Sequence, residues 1–128
     1  MENLGKFYID GKWITPSSKQ SMPVINPATE EEIGTIILGN NDDVNIAVKA
    51  ANLAFDNFSK TTKEDRLKLL KRIHEVTSDR FEELAQAMSK EMGAPITMSR
   101  EAQADSGIGH LQGFIEALEK LEEENTLS

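Results

Sequence analysis

A glycine-rich stretch and two histidines are the first residues to weigh for chemistry. Gly107-Ile108-Gly109, with Gly113 beyond it, invites comparison with a dinucleotide-binding loop. Such a loop needs its third glycine three residues past the second and a strand in front of it, so that backbone N–H groups can face a pyrophosphate. Here the third glycine falls at 113 rather than 112 and no strand pattern precedes it, so helix packing is the preferred reading. His74 and His110 fall on different helical segments without metal-ligand spacing. His74 sits beside an apolar stripe, as a boundary residue would. His110 has small neighbours that leave room for a ligand or another chain, although packing is the simpler account. Glu122-Glu123-Glu124 reads as a solvated tail and Glu82-Glu83 as a helix start. Neither pairs two acids in the apolar setting that general acid–base work needs. Ser17-Ser18 and Ser106 lack a histidine and carboxylate arranged to activate them. Met88, Met92 and Met98 suit an adaptable binding surface, but gap-filling in a core is the commoner use. The chain has no cysteine, which removes disulfides, thiolate zinc sites and thiol catalysis. On the residues alone no catalytic, cofactor-binding or metal-binding position is assigned.

Composition narrows the partners. The 22 acids against 14 bases give a net charge of −8, which disfavours nucleic acid and anionic membrane surfaces. Lys68, Lys71 and Arg72 are interleaved with acids, as on a solvated helix face. The N-terminus shows no basic-then-apolar leader, and no apolar run approaches the length of a membrane span. A cytoplasmic chain of one domain is expected from these 128 residues.

The elements that must position any site divide into strands over residues 6–38, helices over 40–122 and a tail over 123–128 expected to fray. Lys6 to Ile14, KFYIDGKWI, predicts a hairpin turning at Asp10-Gly11, where both central positions need positive φ. That register puts Tyr8 opposite Trp13 and Phe7 opposite Ile14. Met22 to Ile25 and Glu32 to Leu38 predict a second strand pair joined through Asn26-Pro27-Ala28-Thr29, with Asn-Pro opening a type I turn. Asn40-Asn41-Asp42-Asp43 opens a helix with cap residues and first-turn acids, its buried stripe expected at Val44, Ala47, Val48, Ala51 and Phe55.

The strongest helical signal runs from Thr61 to Pro95. Thr61-Thr62 with Glu64-Asp65 gives the N-terminal cap. Leu69, Leu70, Ile73 and Val76 form one stripe, and Phe81, Leu84, Ala85, Met88 and Met92 a second that is out of line with it. Thr77-Ser78-Asp79 competes for backbone hydrogen bonds between them, so two helices or one kinked helix are predicted. Gly93 caps the end and Pro95 forbids continuation. A last helix from Ser99 to about Glu122 has two faces. Ala104, Ile108, Leu111, Ile115 and Leu118 make the apolar one; Ser106, His110, Gly113 and Ala117 make a small one, where the glycines would admit a close backbone approach. The fold class is α+β: N-terminal β-hairpins followed by a bundle of three to five helices.

In succession, FYIDGKW, INPATEEEIGTI, NDDVNIAVKAANLAFDNFSKTTKEDRLKLL and ELAQAMSKEMGAP resemble the N-terminal part of an NAD(P)-dependent aldehyde dehydrogenase. The resemblance covers Phe7 to about Glu124, and SGIGHLQGFIEALEKLEEE is similar to the helix that precedes the first coenzyme-binding strand. It implies that the segment is part of the coenzyme-binding domain, and that a full-length parent uses NAD or NADP to oxidise an aldehyde to an acid through a cysteine thioester. The family's nucleophilic cysteine, general-base glutamate, oxyanion-hole asparagine and coenzyme-binding residues all match positions beyond 128. Carry-over therefore gives no catalytic residue and no cofactor for this chain, which is expected to be inactive alone. The same resemblance implies that Ala102, Ser106 and His110 line the wall of the substrate tunnel in a full-length parent. Self-association, or binding to a complementary C-terminal portion, is the expected way of covering apolar stripes. The competing class is a stand-alone interaction module from a truncated gene.

Overall fold

A computed structural model describes residues 5–122; the tail expected over 123–128 lies outside them. The order is β1 (Phe7–Ile9), β2 (Lys12–Ile14), β3 (Ser21–Ile25), β4 (Glu32–Ile37), α1 (Asn41–Phe58), α2 (Lys63–Asp79), α3 (Phe81–Met92), a short turn α4 (Ile96–Met98), a π-helical turn (Ser99–Ala104) and α5 (Asp105–Lys120). It is the α+β arrangement of hairpins followed by helices. The residues divide into two compact units. The first runs to Lys60 and includes Lys90–Gly93; the second takes Thr61–Ser89 and the chain from Ala94 on.

In the first unit, β1 and β2 pair antiparallel with Tyr8 opposite Trp13 and Phe7 opposite Ile14. Asp10 and Gly11 both take positive φ, 53° and 71°, the geometry that matches a two-residue turn to strand twist. The Tyr8 and Trp13 rings meet edge-on with centroids 5.1 Å apart. Strands β3 and β4 also pair antiparallel, with an irregularity between Val24 and Ile25. Their connection is longer than the expected four-residue turn. The Glu30 N–H donates to the Asn26 carbonyl (2.8 Å), the Asn26 N–H donates to the Glu31 carbonyl (2.9 Å), and Glu30 itself takes φ 59°. Asn26 still does the local work expected of it, its side-chain oxygen accepting from the Ala28 N–H at 2.9 Å.

Helix α1 starts at the Asn40 cap, whose side chain accepts from the Asp42 and Asp43 N–H groups while Asp43 accepts from the Asn40 N–H. Of the expected stripe only Ala47 turns inward. Asp43 is buried and Ala47 and Ala50 are half-buried, whereas Val44, Val48 and Phe55 are 58%, 52% and 67% exposed. The reason is the anchor. Asp43 accepts the Ser17 N–H at 2.7 Å, which turns the Asp43–Ala47–Ala50 face inward and rotates the larger side chains outward.

In the second unit, α2 begins at a Thr62–Asp65 capping box. It ends where expected: the Thr77 and Ser78 hydroxyls donate back to the Ile73 and His74 carbonyls at 2.7 and 2.9 Å, and Arg80 leaves helical geometry before α3 begins. Of the expected α2 stripe Leu70 and Val76 are half-buried, with Leu67, His74 and Thr77 beside them; Leu69 and Ile73 are 45% and 41% exposed. On α5 the expected apolar face holds at every position. Ala104 and Ile115 are buried, and Ile108, Leu111 and Leu118 are half-buried. Helix α5 packs on α2 and lacks a C-terminal glycine. Lys63 takes that role, its Nζ donating to the Glu119 and Leu121 carbonyls at 2.9 and 2.8 Å.

Candidate functional site

The Ala102, Ser106 and His110 face lies in the second unit, and the structure leaves all three residues exposed. Ala102 is inside the π turn; Ser106 and His110 follow one helical turn apart on α5. The Ser106 hydroxyl donates to the Ala102 carbonyl, so its proton is committed to the backbone and only its lone pairs remain for a ligand. The His110 imidazole has no hydrogen-bond partner among the described residues. A Cβ added at Gly107, Gly109 or Gly113 would meet nothing within 4 Å. The close approach expected of these glycines is therefore not made by the described residues.

The coenzyme reading can be tested on backbone geometry. Gly107 and Gly109 lie within α5, which is continuous with the π turn in front of it. Their N–H groups are spent on helical hydrogen bonds, so this stretch cannot cradle a pyrophosphate. The described residues hold no group of three or more His, Asp or Glu side chains able to bind a metal. His74 is half-buried on α2, at the edge of the packed face. An open apolar concavity of about 540 Å³ in the first unit is lined by Met22, Val24, Ile33 and Ile36, with Glu91 at its edge; one carboxylate gives it no convergent polar set.

Charge in both units is organised for architecture. Arg100 forks onto Glu82, with Nε–Oε2 at 2.8 Å and Nη2–Oε1 at 2.6 Å. With Gln86 also donating, this holds the Glu82 carboxyl down at about 2. Asp43 is lowered by the Ser17 and Asn40 backbone N–H groups, and Asp65 by Thr62. Depressed carboxyl pKa values stabilise the fold above the unfolded values and lose that contribution as pH falls through the folded ones. Stability should therefore decline on acidification from about pH 5 toward about 2. Glu82→Gln should flatten the most acidic part of a plot of denaturation midpoint against pH; an unchanged profile would remove the Arg100 fork as its cause.

Residues 13–128 match the aldehyde dehydrogenase family. The chain belongs to that family. A 3-succinoylsemialdehyde-pyridine dehydrogenase from Pseudomonas sp. is 42% identical over 86% of this chain and 23% of its own length. A mutant of aldehyde dehydrogenase C from Pseudomonas syringae, solved with NAD+ and octanal, is 40% identical, with a TM-score of 0.94 over 98% of this chain and 26% of its own. An aldehyde dehydrogenase from Bartonella henselae is 37% identical, with a TM-score of 0.94 over 96% and 26%. The chain thus spans about a quarter of the length of the relatives it matches, and the match is to an N-terminal portion. The inward turn of Asp43 was missed, and its signal was the serine pair at 17–18 lying within reach of a capping acid.

Proposed function

We propose that this chain is the N-terminal portion of an NAD(P)-dependent enzyme that oxidises an aldehyde to a carboxylic acid, and that Ala102, Ser106 and His110 form part of the wall along which the aldehyde enters. The observation that carries the reading is the near-complete superposition on a quarter of an enzyme solved with NAD+ and octanal. The chain's own residues contribute shape. They present a small, open helix face and supply no nucleophile and no coenzyme contact. A cytoplasmic location, and covering of the exposed α1 face by a complementary C-terminal portion or by a second copy, belong to the same proposal. Among the described residues no helix is long and apolar enough to cross a membrane.

Two measurements test it. The 128-residue chain alone should give no aldehyde-dependent reduction of NAD+ or NADP+, because it carries no thiol for the covalent step. A chimera in which it replaces the matching quarter of the Pseudomonas syringae enzyme, in its cysteine-bearing form, should oxidise octanal, and His110→Phe in that chimera should raise KM for octanal more than it lowers kcat. Turnover by the chain alone, or a folded chimera with no activity, would sink the proposal.

A further inference from the structure

The helix that carries the open face seats two anchors that α-helical geometry cannot seat together. Ser99 is fully buried at 0% exposure and Ala104 is buried at 2%. Five residues along an α-helix is about 140° of rotation, which would put them on different faces. The π turn from Ser99 to Ala104 brings them into line, because its hydrogen bonds span five residues.

The two all-α alternatives show what this extra residue does. Continuing the Ser99 register forward in steps of four and three would turn Gln103, Ser106, His110 and Gly113 inward. The Ile108–Leu118 stripe would then be left in water. Continuing the α5 stripe backward would turn Arg100 or Glu101 inward, burying a charge. The π turn avoids both. It leaves Arg100 outside, where it forks onto Glu82 of α3, while the Ser99 hydroxyl donates to the Gln103 side-chain oxygen at 3.0 Å. Ser106 is tied to the same joint through the Ala102 carbonyl.

We propose that the π turn is a register joint and that Ser99 and Arg100 are positioning residues, keeping Ala102, Ser106 and His110 aligned on the open face of the helix. Only the use of that face rests on the proposed function; the joint rests on the hydrogen-bond geometry of the helix itself.

The absence of cysteine makes the joint measurable, since one introduced thiol is the only thiol present. Ser99→Cys should react with a maleimide far more slowly than Ser106→Cys or His110→Cys. Deleting Glu101 removes the extra residue. The large apolar stripe of α5 holds the downstream register, so the upstream segment turns. The thiol at position 99 should then react nearly as fast as one at 106, and Glu82 should titrate well above about 2. Glu101→Ala, of unchanged length, should alter neither. A slow thiol at 99 and an unshifted Glu82 after the deletion would overturn the proposal. Should the deletion variant fail to fold, Arg100→Gln in the Ser99→Cys background decides: several-fold faster labelling at 99, with 106 and 110 unchanged, supports the joint, and no change overturns it. In the active chimera Arg100→Gln should raise KM for octanal with kcat retained, and an unchanged KM would overturn the positioning role. Labelling needs no turnover, so failure of the joint and failure of the enzyme reading are separable.

Discussion

Gly93→Ala is expected to lower the stability of the first unit by about 2–5 kcal/mol, a large share of the 5–15 kcal/mol typical of a domain. Two independent costs add at this position. Its φ of +69° is left-handed, which costs a side-chain-bearing residue roughly 1–2 kcal/mol. An added Cβ would also lie 2.8 Å from the Ala28 backbone nitrogen and 3.2 Å from the Ala28 Cβ. Backbone cannot rotate away as a side chain can, so overpacking here belongs in the range of about 1–3 kcal/mol. Gly113→Ala supplies a control of opposite sign. That position has helical φ and open space around it, and alanine in a helix interior is favoured over glycine by about 0.5–1 kcal/mol. Urea denaturation of both variants reads the contrast. A Gly93→Ala variant as stable as the parent would mean that α3 does not end against the β3–β4 turn in solution.

Gly93 also illustrates what a sequence can and cannot disclose. That α3 stops there was legible, because glycine followed by proline two residues on is a local signal. That the glycine lies against Ala28 was not, since nothing local links residues so far apart. The same division runs through the chain. Hairpin β1–β2 was readable to the register because Asp10-Gly11 fixes the turn and the turn fixes the pairing. The face of α1 was misjudged except at Ala47, and on α2 Leu70 and Val76 were read correctly while Leu69 and Ile73 were not. Counting apolar residues chose Val44, Val48 and Phe55, but an ionised side chain with two backbone donors, Asp43, outranks them in setting rotation. The π turn left a trace that periodicity alone misreads. Ser99 and Ala104 are five apart, and the steps of four and three resume only from Ala104 onward. The face at Ser106, His110, Gly113 and Ala117 was visible as a mostly small one; Ala102 and the tunnel-wall role came only from resemblance, because exposure and residue size do not specify a substrate.

Ile115→Glu and Phe55→Glu should have opposite consequences, the first for stability and the second for association. Ile115 is only 4% exposed, on the α5 face that packs on α2. A carboxylate at so buried a position loses its hydration, so a loss on the order of 4 kcal/mol and melting of the second unit are expected. The last helix packs its apolar stripe on α2, and several of the large apolar side chains left exposed lie along α1. Val44, Val48, Leu53, Phe55 and Phe58 are between 51% and 67% exposed along that helix. Burying each of two or three such side chains contributes roughly 1.5–3 kcal/mol, enough to drive association at micromolar concentrations once the entropy of docking is subtracted. Sedimentation of the chain across a range of concentrations should show reversible association that Phe55→Glu weakens while its helical content is kept. Association that survives Phe55→Glu together with Val48→Glu would move the contact off α1 and onto the open strand edges, where lysine substitutions at Thr35 or Met22 would then be the variants that abolish it.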